Sequence, residues 1–372
     1  MDASTIQELR DLAARSRVFV SMPYLEGLTP GIFNEEGCYE VYESGEAIER
    51  RHGIFRLYEA ALSPLDHGGL YGDAVFEGIL IVNDQVFLFK EHLLRWWRSA
   101  GKLAIGMPYT MEDIAWKILE TIQAVGFKTG EKGYLRPVLT RGAGNLGINP
   151  AKCVSPTIYC VASTIQLYPR EAYETGIELS IAKKVRRPGR EILDPNIKDN
   201  NYLNNIGGLL ETRGKGRLET LMLTSSGAVA EATADNIFCV VRGQEYEDDP
   251  SAVEVITPSP EYCLVGLTRN LIMREARSLG YRVVESGSML PIEFIGPDRE
   301  CFMTGTGCGL MPVVGIESNP IGDGRPGPVT RKLLARVNAA MSDPGHGLNI
   351  NTDRAGMIEY LKREPVVEVL PE

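Results

Sequence analysis

Between Ile54 and Phe89 the chain alternates strand-like runs with turn residues, and this alternation restricts the fold more than any other feature of the sequence. Apolar, β-branched and aromatic residues dominate 55–61, 74–83 and 85–89. Asp66, Gly68 and Gly69 punctuate the first gap, and the pair Asn83-Asp84 marks the second. A connection that short joins antiparallel neighbours, so the segment reads as a β-meander. The period then changes. Leu93, Leu94, Trp97 and Ala100 recur at helical spacing within 91–103, and 114–125 repeats the pattern. Two more strands, 134–140 and 157–162, complete an α+β half.

The stretch 166–176 carries Pro169 and a cluster of charges and reads as an interdomain linker. Beyond it come strands at 177–185 and 220–223, a Ser225-Ser226-Gly227 turn, a return strand over 229–241, and helices at 267–279 and 329–341. With 372 residues the chain exceeds what one hydrophobic core usually spans. The expected division is an N-terminal extension (1–50) with a helical pattern at Ile6, Leu9, Leu12 and Ala13, a small α+β domain (51–165), the linker, and a larger domain (177–372).

Several functions are disfavoured by composition. The net charge is −10, whereas a phosphate-backbone footprint needs clustered Lys and Arg, so no nucleic-acid partner is expected. The basic run Lys183-Lys184-Val185-Arg186-Arg187 reads as a solvated strand end. No apolar run approaches the ~20 residues of a membrane span. Asp2, Glu8 and Asp11 interrupt any secretory pattern in 1–25, which makes the cytoplasm the expected compartment. The seven cysteines (Cys38, Cys153, Cys160, Cys239, Cys263, Cys301 and Cys308) form no CxxC and read as buried thiols. His52, His67, His92 and His346 lack metal-ligand spacing, so no metal site is expected.

Lys198 lies in Asp194-Pro195-Asn196-Ile197-Lys198-Asp199-Asn200-Asn201-Tyr202-Leu203, and Glu231 follows in EATADNIF. An amine and a carboxylate are what pyridoxal phosphate chemistry needs, one to condense with the cofactor aldehyde and one to hold the pyridine nitrogen protonated. Taken alone, Lys198 also reads as a turn lysine in an Asn-rich loop. Gly266-Leu267-Thr268-Arg269 opens an amphipathic helix, whose first N–H groups and threonine hydroxyl suit a phosphate; a simple Thr268 cap is the alternative. A second small-residue turn, Thr304-Gly305-Thr306-Gly307-Cys308-Gly309, offers further donors.

These elements resemble the fold-type IV (class IV) pyridoxal phosphate aminotransferases, closest to the branched-chain amino acid aminotransferases. The ordered blocks are LYGDAVFEGI (70–79), KEHLLR (90–95), GYLRP (133–137), IKDNNYLN (197–204), GAVAEATADNIF (227–238), TPSP (257–260), GLTR (266–269), TGTGCGLMPV (304–313) and GPVT (327–330). The resemblance covers about 54–335 and implies a small N-terminal α+β domain beside a larger domain with a mixed-strand pseudo-barrel. It makes Lys198 the Schiff-base lysine and the proton carrier at the substrate Cα, with Glu231 on the pyridine nitrogen and Tyr202 on the ring hydroxyl. Arg95, Gly266, Leu267, Thr268, Gly305 and Thr306 would hold the phosphate. Tyr71 and Phe76 would line an aliphatic pocket, with Arg136, Gly307 and Cys308 near the substrate and its carboxylate. Family members act on amino acids and 2-oxo acids, 2-oxoglutarate among them, by a ping-pong cycle, and are homodimers in which a loop, here 144–150, closes the partner's site.

Departures from the family pattern bear on the substrate. Leu80 stands where many bacterial members carry an arginine, and Arg141 in Thr140-Arg141-Gly142 could contact a carboxylate instead. Met311 stands in place of a second cysteine, so a thiol switch is not expected. The D-amino acid transaminases carry an Arg-x-His trap after this motif, whereas Ala143-Gly144-Asn145 follows here. Aminodeoxychorismate lyases place threonine where Glu77 follows Phe76. A non-catalytic homologue would have lost Lys198 or Glu231, and both are present.

Overall fold

The computed structural model describes residues 3–23, 39–41, 47–164 and 168–369. It divides into two units. The first comprises Met1–Ile165, Lys198–Asn200 and Pro344–Val366; the second comprises Gln166–Ile197, Asn201–Asp343 and Val367–Glu372. A linear division of the chain therefore does not convey the path, because the three residues beginning at Lys198 group with the first unit while both flanks group with the second. Cys38 lies outside the described residues.

The meander becomes part of a nine-stranded sheet in the first unit. Asn83 and Asp84 both take positive φ, 51° and 60°, the turn geometry that lets Ile79–Val82 pair antiparallel with Gln85–Phe87. The run expected over 74–83 is two strands, Ala74–Phe76 and Ile79–Val82, both paired with Gly133–Thr140. Pro137 explains the interruption. The Glu77 N–H donates to the Pro137 carbonyl at 2.9 Å, but proline has no N–H to return. At Gly78, which follows, a β-carbon would sit 1.9 Å from the Tyr134 hydroxyl, so any larger residue would displace that ring.

Three expectations change in this unit. The strand expected over 55–61 is Ala47–Arg56, and it ends where Glu59 folds back to accept from the Arg56 N–H at 3.0 Å. Residues 1–50 are more than an extension: after helix Ala3–Arg15, strand Arg17–Pro23 pairs with both Ala47–Arg56 and Thr157–Thr164, and its Val18, Phe19 and Val20 are buried. Helix Phe89–Lys102 buries Trp96, not Trp97, because His92, Arg95 and Ser99 share its inward face. Helix Met111–Val125 matches its pattern, with Thr110 accepting from the Asp113 N–H and Gly126 ending it in left-handed geometry.

In the second unit nine strands form a mixed sheet, in agreement with the expected fold class. The order is Val229–Ala232, Glu219–Leu223, Ile177–Ile181, Gly309–Ile316, Arg299–Gly305, Asn236–Arg242, Val253–Pro258 and Arg282–Ser286, with Asn319–Pro320 added to Gly309–Ile316. Ile177–Ile181 runs parallel to both of its neighbours, and Val253–Pro258 runs parallel to Arg282–Ser286. The expected return strand 229–241 is broken by a corner in which the Ala232 N–H meets the Asp235 carbonyl at 2.9 Å. The strand expected to reach 185 stops at Ile181. Glu211 draws the next residues away by accepting from the N–H groups of Lys183, Lys184 and Val185. Phe238 and Phe302 stack in the core with ring centroids 4.9 Å apart, backed by Ile272, Leu310 and Leu333. Among the described residues no helix is long and apolar enough to cross a membrane, and no cluster of metal-binding side chains occurs.

Candidate active site

Lys198 does not sit in a free Asn-rich loop. Its carbonyl accepts from the Phe76 N–H at 2.9 Å, the Asn200 N–H donates to the Ala74 carbonyl at 3.0 Å, and Asp199 bridges Val75 antiparallel. Its own N–H donates to the Ser99 hydroxyl at 3.2 Å. The lysine backbone is thus a short added strand on Ala74–Phe76, and its Nζ lies 4.7 Å from the centroid of the Phe76 ring.

Four residues on one face of helix Phe89–Lys102 organise this part of the first unit. Ser99 holds the Lys198 backbone, and the Trp96 indole donates to the Val75 carbonyl at 3.2 Å. Arg95 and His92 converge on Glu77: Arg95 Nε on Oε1 at 2.8 Å, Nη2 on Oε2 at 2.7 Å, and His92 Nδ1 on Oε2 at 2.8 Å. Burial alone would raise the Glu77 pKa. The guanidinium and these hydrogen bonds outweigh it and hold the carboxyl at about 2. Burial lowers the pKa of His92.

The two sequence-selected arginines of strand Gly133–Thr140 and its exit differ. Arg136 is exposed, with its Cζ 4.5 Å from the Phe76 ring centroid and its Nη2 donating to the Tyr134 hydroxyl at 3.3 Å. Arg141 is clamped. Nε and Nη2 bind Asp73 at 2.8 and 3.1 Å, and its terminal nitrogens reach the carbonyls of Ala104 and Leu103, each at 2.7 Å. Four of its five N–H groups are thereby committed, which argues against the substrate-carboxylate role expected of it. Leu80 is core. Tyr71, partly exposed, donates its hydroxyl to the Leu146 carbonyl and meets His67 edge-on at 4.9 Å, while His67 Nε2 lies 2.8 Å from the Asn145 carbonyl. Tyr71 is therefore tied to the 144–150 loop.

In the second unit Glu231 is buried on its strand. Its Oε1 accepts from Arg187 Nε at 2.7 Å, and its Oε2 accepts from the Leu264 N–H at 3.2 Å, with Asn236 Nδ2 at 3.5 Å. Arg187 continues to Asn205 Oδ1 at 3.2 Å, and Asn205 donates to the Thr233 carbonyl. Arg187 is thus no solvated strand end, contrary to the reading of the basic run. Its partners lie 18 and 44 residues away, and no local pattern announces them.

Gly266 is the N-cap of helix Leu267–Ser278 and provides no capping side chain, so the N–H groups of Leu267 and Thr268 are left for an acceptor from outside. Thr268 lies inside the first turn and is not the cap. A β-carbon at Gly266 would meet Asn236 Oδ1 at 2.2 Å, which couples the helix start to the residue beside Glu231. Tyr202 is the residue before helix Leu203–Thr212. Gly305 and Gly309 pair across a hairpin whose tip is Thr306-Gly307-Cys308, and Asp235 leaves no room for a β-carbon at Gly305. Cys308 is buried, with Sγ donating to Asp235 Oδ1 at 3.5 Å, and burial pushes its thiol pKa well up. It is a packed thiol.

Comparisons with known proteins agree on one family. The family model described as amino-transferase class IV matches residues 74–316. A Methanocaldococcus jannaschii protein that carries the provisional name of a branched-chain-amino-acid aminotransferase is 35% identical over 296 residues, covering 79% of this chain and 93% of that protein. The crystal structure of a T.th. branched-chain amino acid aminotransferase with pyridoxamine 5′-phosphate superposes with a TM-score of 0.71 at 28% identity, covering 85% of this chain and 99% of that one. The same T.th. enzyme complexed with N-(5′-phosphopyridoxyl)-L-glutamate gives a TM-score of 0.70 at 29% identity, covering 80% and 96%.

Proposed function

The chain belongs to the class IV aminotransferase family, and from that premise we propose that it transfers the amino group of leucine, isoleucine or valine to 2-oxoglutarate. Pyridoxal phosphate, the family's cofactor, supplies an aldehyde to receive the amino group and an aromatic ring to take up the electrons left when the substrate Cα loses its proton.

The side chains fit that group. Lys198 is an amine on a pinned backbone, suited to carry a proton to and from the substrate Cα. Glu231 is a buried carboxylate already surrounded by donors, Arg187 among them, and is suited to hold a proton on the pyridine nitrogen. Arg95, the N–H groups of Leu267 and Thr268, and the Gly305-Thr306 turn suit a phosphate, and the Tyr202 hydroxyl suits the ring oxygen. Phe76 and Tyr71 suit an aliphatic side chain, each buried methylene contributing about 0.8 kcal/mol. Arg136, exposed beside Phe76, is the arginine of choice for a substrate carboxylate, with Gly307 at the hairpin tip offering an N–H.

The observation that carries the reading is Glu231, a buried acid given an arginine, a backbone N–H and an amide as neighbours. The neighbour bound to a phosphopyridoxyl-glutamate supports glutamate and 2-oxoglutarate as the second pair. A homodimer is part of the proposal: Leu146 and Ile148 on the 144–150 loop are 73% and 80% exposed, and Leu203 is 80% exposed, apolar area that a second copy would cover. The test compares leucine, isoleucine, valine, D-alanine and aminodeoxychorismate, each with 2-oxoglutarate and cofactor, by 2-oxo acid formed. Conversion of the three aliphatic L-amino acids is expected; turnover of only D-alanine, or pyruvate release from aminodeoxychorismate alone, would refute the proposal.

A further inference from the structure

Glu77 has no part in the chemistry just described, yet it is a fully buried carboxylate gripped by a candidate phosphate ligand. We propose that Glu77 is a positioning residue for cofactor capture: it clamps Arg95 so that the guanidinium meets the phosphate in one preset orientation. The inference deepens the reading of Arg95 as a phosphate ligand and rests on it.

Three observations carry it. The first is the fork. Arg95 Nε and Nη2 bind separate Glu77 oxygens at 2.8 and 2.7 Å, and gripping one edge of a planar guanidinium fixes its plane and the direction of its remaining N–H groups. The second is the third contact. His92, one helical turn before Arg95, places Nδ1 2.8 Å from Glu77 Oε2 and keeps the carboxylate from swinging. Burial disfavours a charge on His92, so Glu77 and Arg95 neutralise one another. The third is how Glu77 comes to be there. Glu77 falls opposite Pro137 in the gap between Ala74–Phe76 and Ile79–Val82, where the register of the pair with Gly133–Thr140 continues unbroken, so strand alternation places its side chain on the same buried face as Val75 and Ile79.

A buried ion pair is a poor route to stability, because desolvation offsets most of its attraction. What the pair does supply is orientation. An arginine that approached phosphate from a mobile side chain would lose rotamer freedom on binding; one already clamped does not.

The experiment measures binding of pyridoxal phosphate, and of pyridoxal, which lacks the phosphate, to the full-length apoprotein by equilibrium dialysis and cofactor absorbance. The proteins are wild type, Glu77→Gln, Glu77→Asp, Arg95→Met and the double variant Glu77→Gln/Arg95→Met, each checked by its melting curve. Glu77→Gln is expected to weaken pyridoxal phosphate roughly tenfold to a hundredfold, the scale on which removing the support of a binding residue acts, and to leave pyridoxal unchanged. Glu77→Asp should recover part of the loss. The double variant should bind no more weakly than Arg95→Met, since a residue acting through Arg95 has nothing to act on once Arg95 is gone. The double variant also removes both buried charges, so it tests the idea even if Glu77→Gln alone does not fold. Equal losses for both ligands, additive losses in the double variant, or a Glu77→Gln protein that binds as wild type while Arg95→Met is weakened would each overturn the role of Glu77. Wild-type binding by Arg95→Met would instead remove the reading of Arg95 on which the inference stands.

Discussion

Glu77 in the first unit and Glu231 in the second are both buried carboxylates paired with an arginine, and they are held in opposite ways. Glu77 takes a two-pronged grip from Arg95 plus the His92 ring, all from one face of one helix. Glu231 takes a single Nε contact from Arg187, and its other oxygen rests on a backbone N–H at 3.2 Å and an amide at 3.5 Å. Saturation by strong side-chain donors makes an anchor. Partial engagement by weaker ones leaves an acceptor able to take a further donor, which is what a pyridinium N–H would be.

The first expected effect breaks this comparison at its functional end. Glu231→Gln should lower turnover by about 10²- to 10³-fold, the cost of removing one group that stabilises developing charge, while cofactor binding falls less. Steady-state kinetics and cofactor titration check it; a smaller loss than that of Glu77→Gln would reverse the assignment of the two acids.

Next comes stability. Glu77→Gln strands Arg95 in the interior and should destabilise the protein by about 3–5 kcal/mol in denaturant unfolding at neutral pH. The pH dependence has a definite sign. The folded carboxyl titrates near 2 against a reference of 4.5, so its stabilisation is fully present above about 4.5 and is lost as pH falls toward 2. The gap between wild type and Glu77→Gln should therefore close over that window; a constant gap would show that the grip is not ionic.

The smallest effect concerns the glycine beside Glu231's support. Gly266→Ala places a β-carbon 2.2 Å from Asn236 Oδ1 and should cost about 1–3 kcal/mol, felt in cofactor affinity as well as in melting. An unchanged affinity would uncouple the helix start from Glu231.

The readable parts of the molecule were those whose cause is local. The Asn83-Asp84 turn, the apolar spacing of 114–125 and the glycine before Leu267 each follow from a few adjacent residues. The break at Glu77 was not readable, because it depends on a proline that faces it across the sheet. Arg187 was hidden in a basic run whose first two members, Lys183 and Lys184, do face water. The inward face of helix Phe89–Lys102 was misphased by one residue, since hydrophobic spacing selects Trp97 when polar side chains occupy half of the buried stripe. Among the site residues chosen by family blocks, Arg141 is clamped by Asp73 and Cys308 is a packed thiol beside Asp235, pairings that bring together residues 68 and 73 positions apart and that no local pattern announces.

The stitching of Lys198 to Ala74–Phe76 sets a limit on its chemistry. With carbonyl and N–H both tied, the origin of the side chain cannot creep, and the nitrogen works at the end of an arm of fixed length. A homologous amine one carbon shorter would stop about 1 Å short of its target, a shortfall that no sliding of the main chain could make up.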